Sequence, residues 1–378
     1  MAFDGALPAS AEIVVVGAGN VGVSAALFLA RAGREVAVLE RGLPWGDASG
    51  ANAGTLSYQV KRTEVLPLCK FSIDVWESFG GMGLDTGFKK PGGYRVATTE
   101  AEVAHLREYA KEQAASGHLE YEWLEANALH HRAPWLGPNV MAATYCALDA
   151  YSSPLLSGGA FLSGLHQAGG RVFAHTGVTA IHRAEDGYAV ETARGTITCG
   201  TVIITAGPWS AGLAKTLGVD FPFYVDVNML SVTEPTTFML DKVVTHIGGI
   251  LSLKQLPNGT ILIGGGWQGR GRFRAFEKEI DNLRLRQNLS VAVNVVPALA
   301  KLRLVRTWAG YEAVAPDALP AFGPLPGRPN AYVVAGARGG YSMGPGQGFL
   351  VSEMILKGRT SIDCTLFDPA RLVVGGQA

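Results

Sequence analysis

Cysteine is scarce and scattered in this chain: Cys69, Cys146, Cys199 and Cys364 form no CxxC pair and have no histidine cluster beside them. That spacing supplies neither a disulfide framework nor a metal site, so the four are read as buried free thiols in a reducing cytoplasm, with no metal bound. Net charge is absent as well. Lys plus Arg and Asp plus Glu both number 32, and charged residues make up only 17% of the chain. Without a basic stripe, nothing here attracts nucleic acid or an anionic membrane surface. Long apolar runs are missing apart from residues 13–30, IVVVGAGNVGVSAALFLA. No Lys or Arg precedes Arg31, and Asn20, Ser24 and three glycines interrupt the run. It therefore has the flanks and composition of neither a signal peptide nor a membrane span, and the protein is read as cytoplasmic.

What is abundant is apolar residues and glycine. A hydrophobic fraction of 48% over 378 residues describes a globular chain with a large core, too long for one ordinary domain and suited to two. The 49 glycines fall in short groups, GAGNVG, GG at 248, GGG at 264 and GARGGYSMGPG, with no regular repeat. Such groups mark tight turns or places where backbone crowds a ligand.

The first group has the fullest context. Glu12 to Val16 is a β-branched run of the kind found in buried parallel strands, and it leads directly into Gly17-Ala18-Gly19-Asn20-Val21-Gly22. Val21 to Ala32 is rich in Ala and Leu and stops at Gly33, which predicts a helix with a glycine C-cap. Glu35 to Leu39 predicts a second strand, and Glu40 stands at its end, near the ~20-residue offset of the acidic residue that holds an adenosine ribose. In this βαβ unit Gly17 permits the turn, Gly19 lets a pyrophosphate approach the backbone, and Gly22 lets helix and strand pack closely. The helix N-terminus then faces the phosphates. The unit binds a dinucleotide but does not separate NAD from FAD.

Later segments carry that distinction. Asp47 to Thr55, DASGANAGT, is a polar stretch of small residues soon after Glu40. Thr201 to Ser210, TVIITAGPWS, is a buried strand ending in a glycine turn. Ala331 to Ala335 predicts a strand feeding the glycine loop from Gly336, followed by an apolar helix around Phe349 to Leu356. In this order, with DAYSSPLLSGGAFL and RTWAGYEAVAPDALPAFGP between them, the segments resemble the D-amino-acid oxidase-like (DAO) family of FAD-dependent oxidoreductases. Within it the chain is most similar to flavin subunits of multi-subunit opine, proline and sarcosine oxidising enzymes.

The resemblance implies an α/β FAD-binding Rossmann-like domain of the glutathione-reductase type plus an α+β substrate domain with an antiparallel sheet. The expected boundaries are 1–88, 146–220 and 311–378 for the FAD domain, and 89–145 and 221–310 for the substrate domain. It further implies that FAD is held by Gly17, Gly19, Asn20, Val21, Gly22, Glu40 and Arg41, with Ser49, Gly50, Asn52, Ala53 and Gly54 beneath the pyrophosphate and ribityl chain. Val178 matches the backbone contact to adenine, and Ala206, Gly207 and Trp209 match a turn near the phosphates. Gly336, Arg338, Gly339, Gly340, Tyr341, Ser342 and Met343 match the loop and helix start beside the pyrimidine end of the flavin. A helix N-terminus with Arg338 nearby would stabilise the negative charge of a reduced flavin.

The implied chemistry is the flavin's: hydride leaves a carbon bearing an uncharged amine for N5, and the resulting imine hydrolyses. The protein's task is placement, so no acid–base dyad is required. Arg338, Tyr311 and His246 are candidate catalytic residues, and Tyr94, Tyr224, Trp267 and Glu312 are candidates for the substrate wall. Core packing is the simpler alternative for each aromatic, and a satisfied structural histidine for His246. Lys254 is a candidate for the cation that some relatives place near the flavin to help oxygen react, with a solvated strand lysine as the alternative. The departure is at Tyr311-Glu312, where glycine oxidase-like members often carry an arginine-proline pair whose arginine binds the substrate carboxylate. That shifts the expectation from a plain amino acid to a secondary amine, imino acid or opine, with a partner subunit accepting the electrons. A self-contained amino-acid oxidase releasing hydrogen peroxide and a non-catalytic flavin electron-relay subunit remain as alternatives.

Overall fold

The computed structural model describes residues 5–336 and 339–373. Strand Ser10–Val16 lies at the heart of the first sheet, parallel to Val36–Leu39 on one side and Gly195–Ile204 on the other. The spatial order is Ala321–Pro324, Ala331–Ala335, Gly195–Ile204, Ser10–Val16, Val36–Leu39, Arg171–Phe173, with a hairpin of Val178–Ala184 and Gly187–Thr192 added to Gly195–Ile204. The run Ile13 to Val16 is apolar at every position because both faces of the sheet are covered. Ile13 and Val15 join a core with the helices Asn20–Arg31, Leu66–Gly81, Pro154–Gln167 and Gly340–Lys357. Val14 and Val16 join a second core with Ile181, Val190, Leu213 and Leu217 on the other face.

The second sheet runs Leu304–Val314, Tyr224–Thr233, Ile261–Gly264, Ser252–Gln255, Val243–His246, Gly93–Ala97, Ala142–Cys146, Glu122–Glu125. It is antiparallel except where Val243–His246 runs parallel to Gly93–Ala97. One face is covered by the helix Asn282–Val295 and the segment around Leu129 to Val140. This is the α/β FAD-type domain with a second, mainly antiparallel α+β domain that the sequence implies. The strand Leu304–Val314 runs across the 310/311 position expected to divide the domains, and pairs with Tyr224–Thr233 as far as Val314. Cys146 likewise pairs with Gly93 in the second sheet.

The last helix departs most from the sequence reading. It starts at Gly340, well before Phe349, and runs through the glycines and Pro345. Proline removes the N–H that would bond the carbonyl four residues earlier. The side chains of neighbouring helices restore what is lost. Asn20 Nδ2 donates to the Tyr341 carbonyl at 2.7 Å, the acceptor that residue 345 cannot serve. One residue further, Ser72 Oγ donates to the Ser342 carbonyl (2.8 Å) and accepts from Gly346 N (3.1 Å), so a hydroxyl bridges that pair, and Trp76 Nε1 adds a second bond to Ser342. The glycines leave no side chain on this face, so a Cβ at Gly344, Gly346 or Gly348 would collide with Asn20, Ser72 or Ser24. A sequence poor in helix propensity is helical here because three neighbours hold it so.

Candidate functional site: a cavity between the two sheets

A cavity of about 520 Å³ opens where the C-terminal ends of the first sheet's strands meet the second sheet. Val16, Gly17, Gly19, Asn20 and Val21 form its floor, and Leu39, Glu40 and Arg41 one end. Trp45, Ser49 and Asn52, then Val178, Ala206, Gly207 and Trp209, supply further walls, with Gly336, Gly340, Tyr341 and Gln347 along another side. The second sheet contributes Asn228, Leu230 and Gly310 to Ala313. Position and size are those of a ligand site at the switch point of a doubly wound sheet.

Two glycines account for the floor. Gly17 has φ +107°, and a Cβ on it would stand 2.6 Å from the Thr205 carbonyl oxygen. A Cβ on Gly22 would fall 1.9 Å from the Gly17 carbonyl oxygen, so the helix could not approach the turn as it does. Glu40 braces the same turn: its Oε2 accepts from Ala18 N and its Oε1 from Gly42 N, both at 2.8 Å. Ser49 Oγ accepts from Asn20 N at 2.8 Å, tying the small-residue loop to the helix start.

Several polar groups at this cavity are left over. Asn20 Oδ1, Trp45 Nε1 and Gln347 Nε2 are buried with no hydrogen-bond partner among the described residues, and all three residues line it. Buried polar groups are rarely orphaned, so a ligand with both donors and acceptors belongs here. A dinucleotide, with ribose and ribityl hydroxyls beside phosphate oxygens, meets that demand. The helix Asn20–Arg31 has no acidic residue in its first turn, leaving its N–H groups and dipole to an anion.

The expected cofactor residues Gly17, Gly19, Asn20, Val21, Glu40, Arg41, Ser49, Asn52, Val178, Ala206, Gly207, Trp209, Gly336, Gly340 and Tyr341 all line the cavity. Others stand just behind it. Gly22 packs on Gly17, a Cβ on Gly50 would meet the Trp45 carbonyl, and Gly54 N is held by Asn52 Oδ1 (2.8 Å). The Ala53 carbonyl accepts from Lys254, Ser342 Oγ bonds the Gly339 carbonyl, and Met343 is in the core. Arg338 lies outside the described residues.

The catalytic and substrate candidates divide. Tyr311 and Glu312 line the cavity. The Tyr311 hydroxyl donates to the Glu277 carbonyl at 2.8 Å, and burial pushes its pKa up. Glu312 Oε1 accepts from Gly339 N (2.7 Å) and Oε2 from Asn228 Nδ2 (2.6 Å). The other four are placed elsewhere. His246 is buried in the second sheet, where its Nδ1 accepts from Gly248 N (3.1 Å) and Gly249 N (2.6 Å) and its Nε2 meets Thr98 Oγ1 (3.1 Å). It closes a turn, and burial pulls its pKa down. Tyr94 packs against Trp135 and Tyr145 in the second core. Tyr224 is exposed at a strand start, and Trp267 Nε1 donates to the Ile250 carbonyl at 2.6 Å. For His246, Tyr94 and Trp267 local packing or hydrogen bonding, which a position in sequence does not reveal, takes the side chain.

Lys254 is fully buried beside the small-residue loop, donating to Thr55 Oγ1 (2.9 Å) and the Ala53 carbonyl, and burial pulls its pKa down to about 7. It forms the floor of a second cavity of about 300 Å³, whose rim carries Lys89, Lys90 and Lys242. Trp45, Asn228, Lys61 and Gln347 escaped the sequence reading. For Asn228 the available signal is the alternation of the strand Tyr224–Thr233, which sets Asp226 and Asn228 on one face. Trp45, with φ +66°, and Lys61, whose ammonium lies against Gly339, carry no local signal.

A two-domain fold with a dinucleotide-sized cavity at the sheet's switch point and a wall from a second sheet is the arrangement of a dinucleotide-binding protein. Residues 12–354 match the family described as FAD dependent oxidoreductase (DAO), and the chain belongs to that family. By that description the family's members are oxidoreductases that depend on FAD. The chain is 27% identical to the mitochondrial dimethylglycine dehydrogenase of Mus musculus over 96% of its length, although it spans only 44% of that protein's length. It is 25% identical to the glycine oxidase of Geobacillus kaustophilus, covering 95% of this chain and 97% of that one. An opine oxidase subunit of Rhizobium meliloti is 24% identical over 95% of this chain and 97% of its own. Among solved structures, L-proline dehydrogenase from P. horikoshii superimposes with a TM-score of 0.88 at 26% identity, over 97% of this chain and 98% of that one. Among the described residues no helix is long and apolar enough to cross a membrane.

Proposed function

We propose that this chain is the catalytic FAD subunit of a dehydrogenase that oxidises the C–N bond of a small secondary amine, imino acid or opine, in the cytoplasm. FAD, when bound, supplies the oxidising chemistry by accepting hydride from the substrate carbon. The chain's own residues hold the cofactor, exclude water and present the wall facing the substrate.

The observation that carries this reading is the Tyr311-Glu312 pair. Where the resemblance leads one to expect an arginine-proline pair, the cavity wall carries Tyr311 in the arginine's place and, next to it, the Glu312 carboxylate, held by Gly339 N and Asn228. Without that arginine a plain amino acid loses its carboxylate anchor, which shifts the reading to a secondary amine, imino acid or opine held in another way. The likeness to opine oxidase subunits from two organisms supports a partner chain. The near full-length match to glycine oxidases supports a second reading, a self-contained oxidase.

The test is a panel of primary amino acids, N-methylated amines, proline-like imino acids and opines, scored anaerobically by bleaching of the bound flavin. The expected result is bleaching by the secondary amines and slow peroxide release in air. Rapid peroxide release would establish the self-contained oxidase. A flavin that stays yellow across the panel would leave an electron-relay role.

A further inference from the structure

Between Gly265 and Asp281 the second domain sends out a hairpin that leaves its own sheet and reaches the first domain. The hairpin is internally braced. Arg270 and Glu279 exchange backbone hydrogen bonds at 2.9 and 2.8 Å, and the Arg272 guanidinium forks onto Glu277 at 2.9 and 2.8 Å. Its base is anchored on Tyr224–Thr233 by Met229 N to the Trp267 carbonyl and Gly269 N to the Val227 carbonyl.

The tip is aromatic and contacts residues that line the cofactor cavity. Phe276, at φ +57° and 60% exposed, stacks on Trp209 with the rings 16° apart, and Phe273 packs on both Trp209 and Tyr311. The Arg41 guanidinium lies 3.7 Å from the Trp209 ring centre and 5.1 Å from that of Phe276. Beside this stack runs an ionic ladder: Asp47 takes Arg41 at 3.0 Å on one oxygen and Lys278 at 3.2 Å on the other. An exposed phenylalanine gains little from burial, and a non-glycine residue at positive φ is uncommon, so this tip is shaped by its contacts.

Those contacts converge on one end of the cavity. Arg41 follows Glu40, the acidic residue at the end of the second strand that marks the adenosine side of a dinucleotide. We infer that the hairpin is a clasp for the adenosine half of FAD, with Phe276 and Lys278 as positioning residues that hold Trp209 and Arg41 in place. The inference rests on FAD as the cofactor and is independent of which amine is oxidised.

The test uses Phe276→Ala and Lys278→Glu, with Phe276→Trp and Lys278→Arg as conservative counterparts and Lys278→Gln as a milder second variant. The readouts are FAD dissociation from the holoenzyme, followed by flavin fluorescence, and ADP affinity of the FAD-depleted full chain by calorimetry. Loss of the stack or of the ion pair is expected to speed FAD release about two- to fivefold and weaken ADP by a similar factor. The Trp and Arg variants restore both, and the Lys278→Glu effect shrinks as salt rises. Unchanged FAD release and ADP affinity would overturn the clasp, as would faster FAD release with ADP unaffected. If ADP weakens as expected while no amine bleaches the flavin, the clasp stands and the amine-oxidation reading falls.

Discussion

Replacing Asn20 by alanine tests how a proline comes to sit inside the helix that closes the cofactor cavity. The Asn20 amide donates to the buried Tyr341 carbonyl, the acceptor that Pro345 leaves without its helical partner. Losing that donor orphans a buried acceptor, which costs about 1–3 kcal/mol. In a Pro345→Ala background the alanine N–H can take up the same carbonyl, so Asn20→Ala should there cost at least about 1 kcal/mol less. The four proteins of this cycle are compared by urea unfolding of FAD-depleted protein, because Asn20 also lines the cavity and bound FAD would add its own linkage to the stability. Equal losses in the two backgrounds, within roughly 0.3 kcal/mol, would refute the substitution of side chain for backbone. Pro345→Ala alone should be neutral or stabilising, since proline is the poorest helix residue.

Two further outcomes follow from groups at the cavity. Glu40→Gln keeps the shape but leaves one oxygen to serve Ala18 N and Gly42 N, so FAD affinity should fall about ten- to a hundredfold in flavin-release measurements; an unchanged affinity would remove Glu40 from the site. Lys254 has a pKa pulled from 10.5 to about 7 by burial, so between these values the unfolded chain holds a proton that the folded chain lacks. Stability due to this group therefore rises with pH across that window. From roughly pH 7 to roughly pH 8.5 the wild type should gain about 1–2 kcal/mol on Lys254→Met in urea unfolding. A difference that stays flat or falls would contradict a buried, readily neutralised lysine.

The cofactor end of this protein was legible because its constraints are local. A strand, a glycine turn, a helix and an acidic residue follow one another within about thirty residues, and each has a reason that sequence spacing alone expresses. The substrate side was harder. Tyr94, Trp267 and His246 have the right residue types, but their orientation depends on strand register and on partners distant in sequence, such as Thr98 for His246. Asn228 and Glu312 meet only because Tyr224–Thr233 and Leu304–Val314 pair across a separation of eighty residues or so. The start of the last helix was also misplaced by propensity, since Ser72 and Trp76 hold Ser342 while Asn20 holds Tyr341. Trp45 depends on a left-handed backbone that its own sequence does not announce.

The order of strands in the first sheet has a consequence for how the chain is made. The strand that begins the fold, Ser10–Val16, has Gly195–Ile204 as its neighbour, and that strand in turn pairs with Ala331–Ala335. A ribosome therefore releases the first nucleotide-binding turn long before the strand and helix that complete its cavity. Until residues beyond 340 emerge, Asn20 and Ser72 face no helix, and the apolar side of Asn20–Arg31 lacks its cover. Nascent fragments ending before that point should bind chaperones and lack FAD, while full-length chains released from the ribosome should take it up.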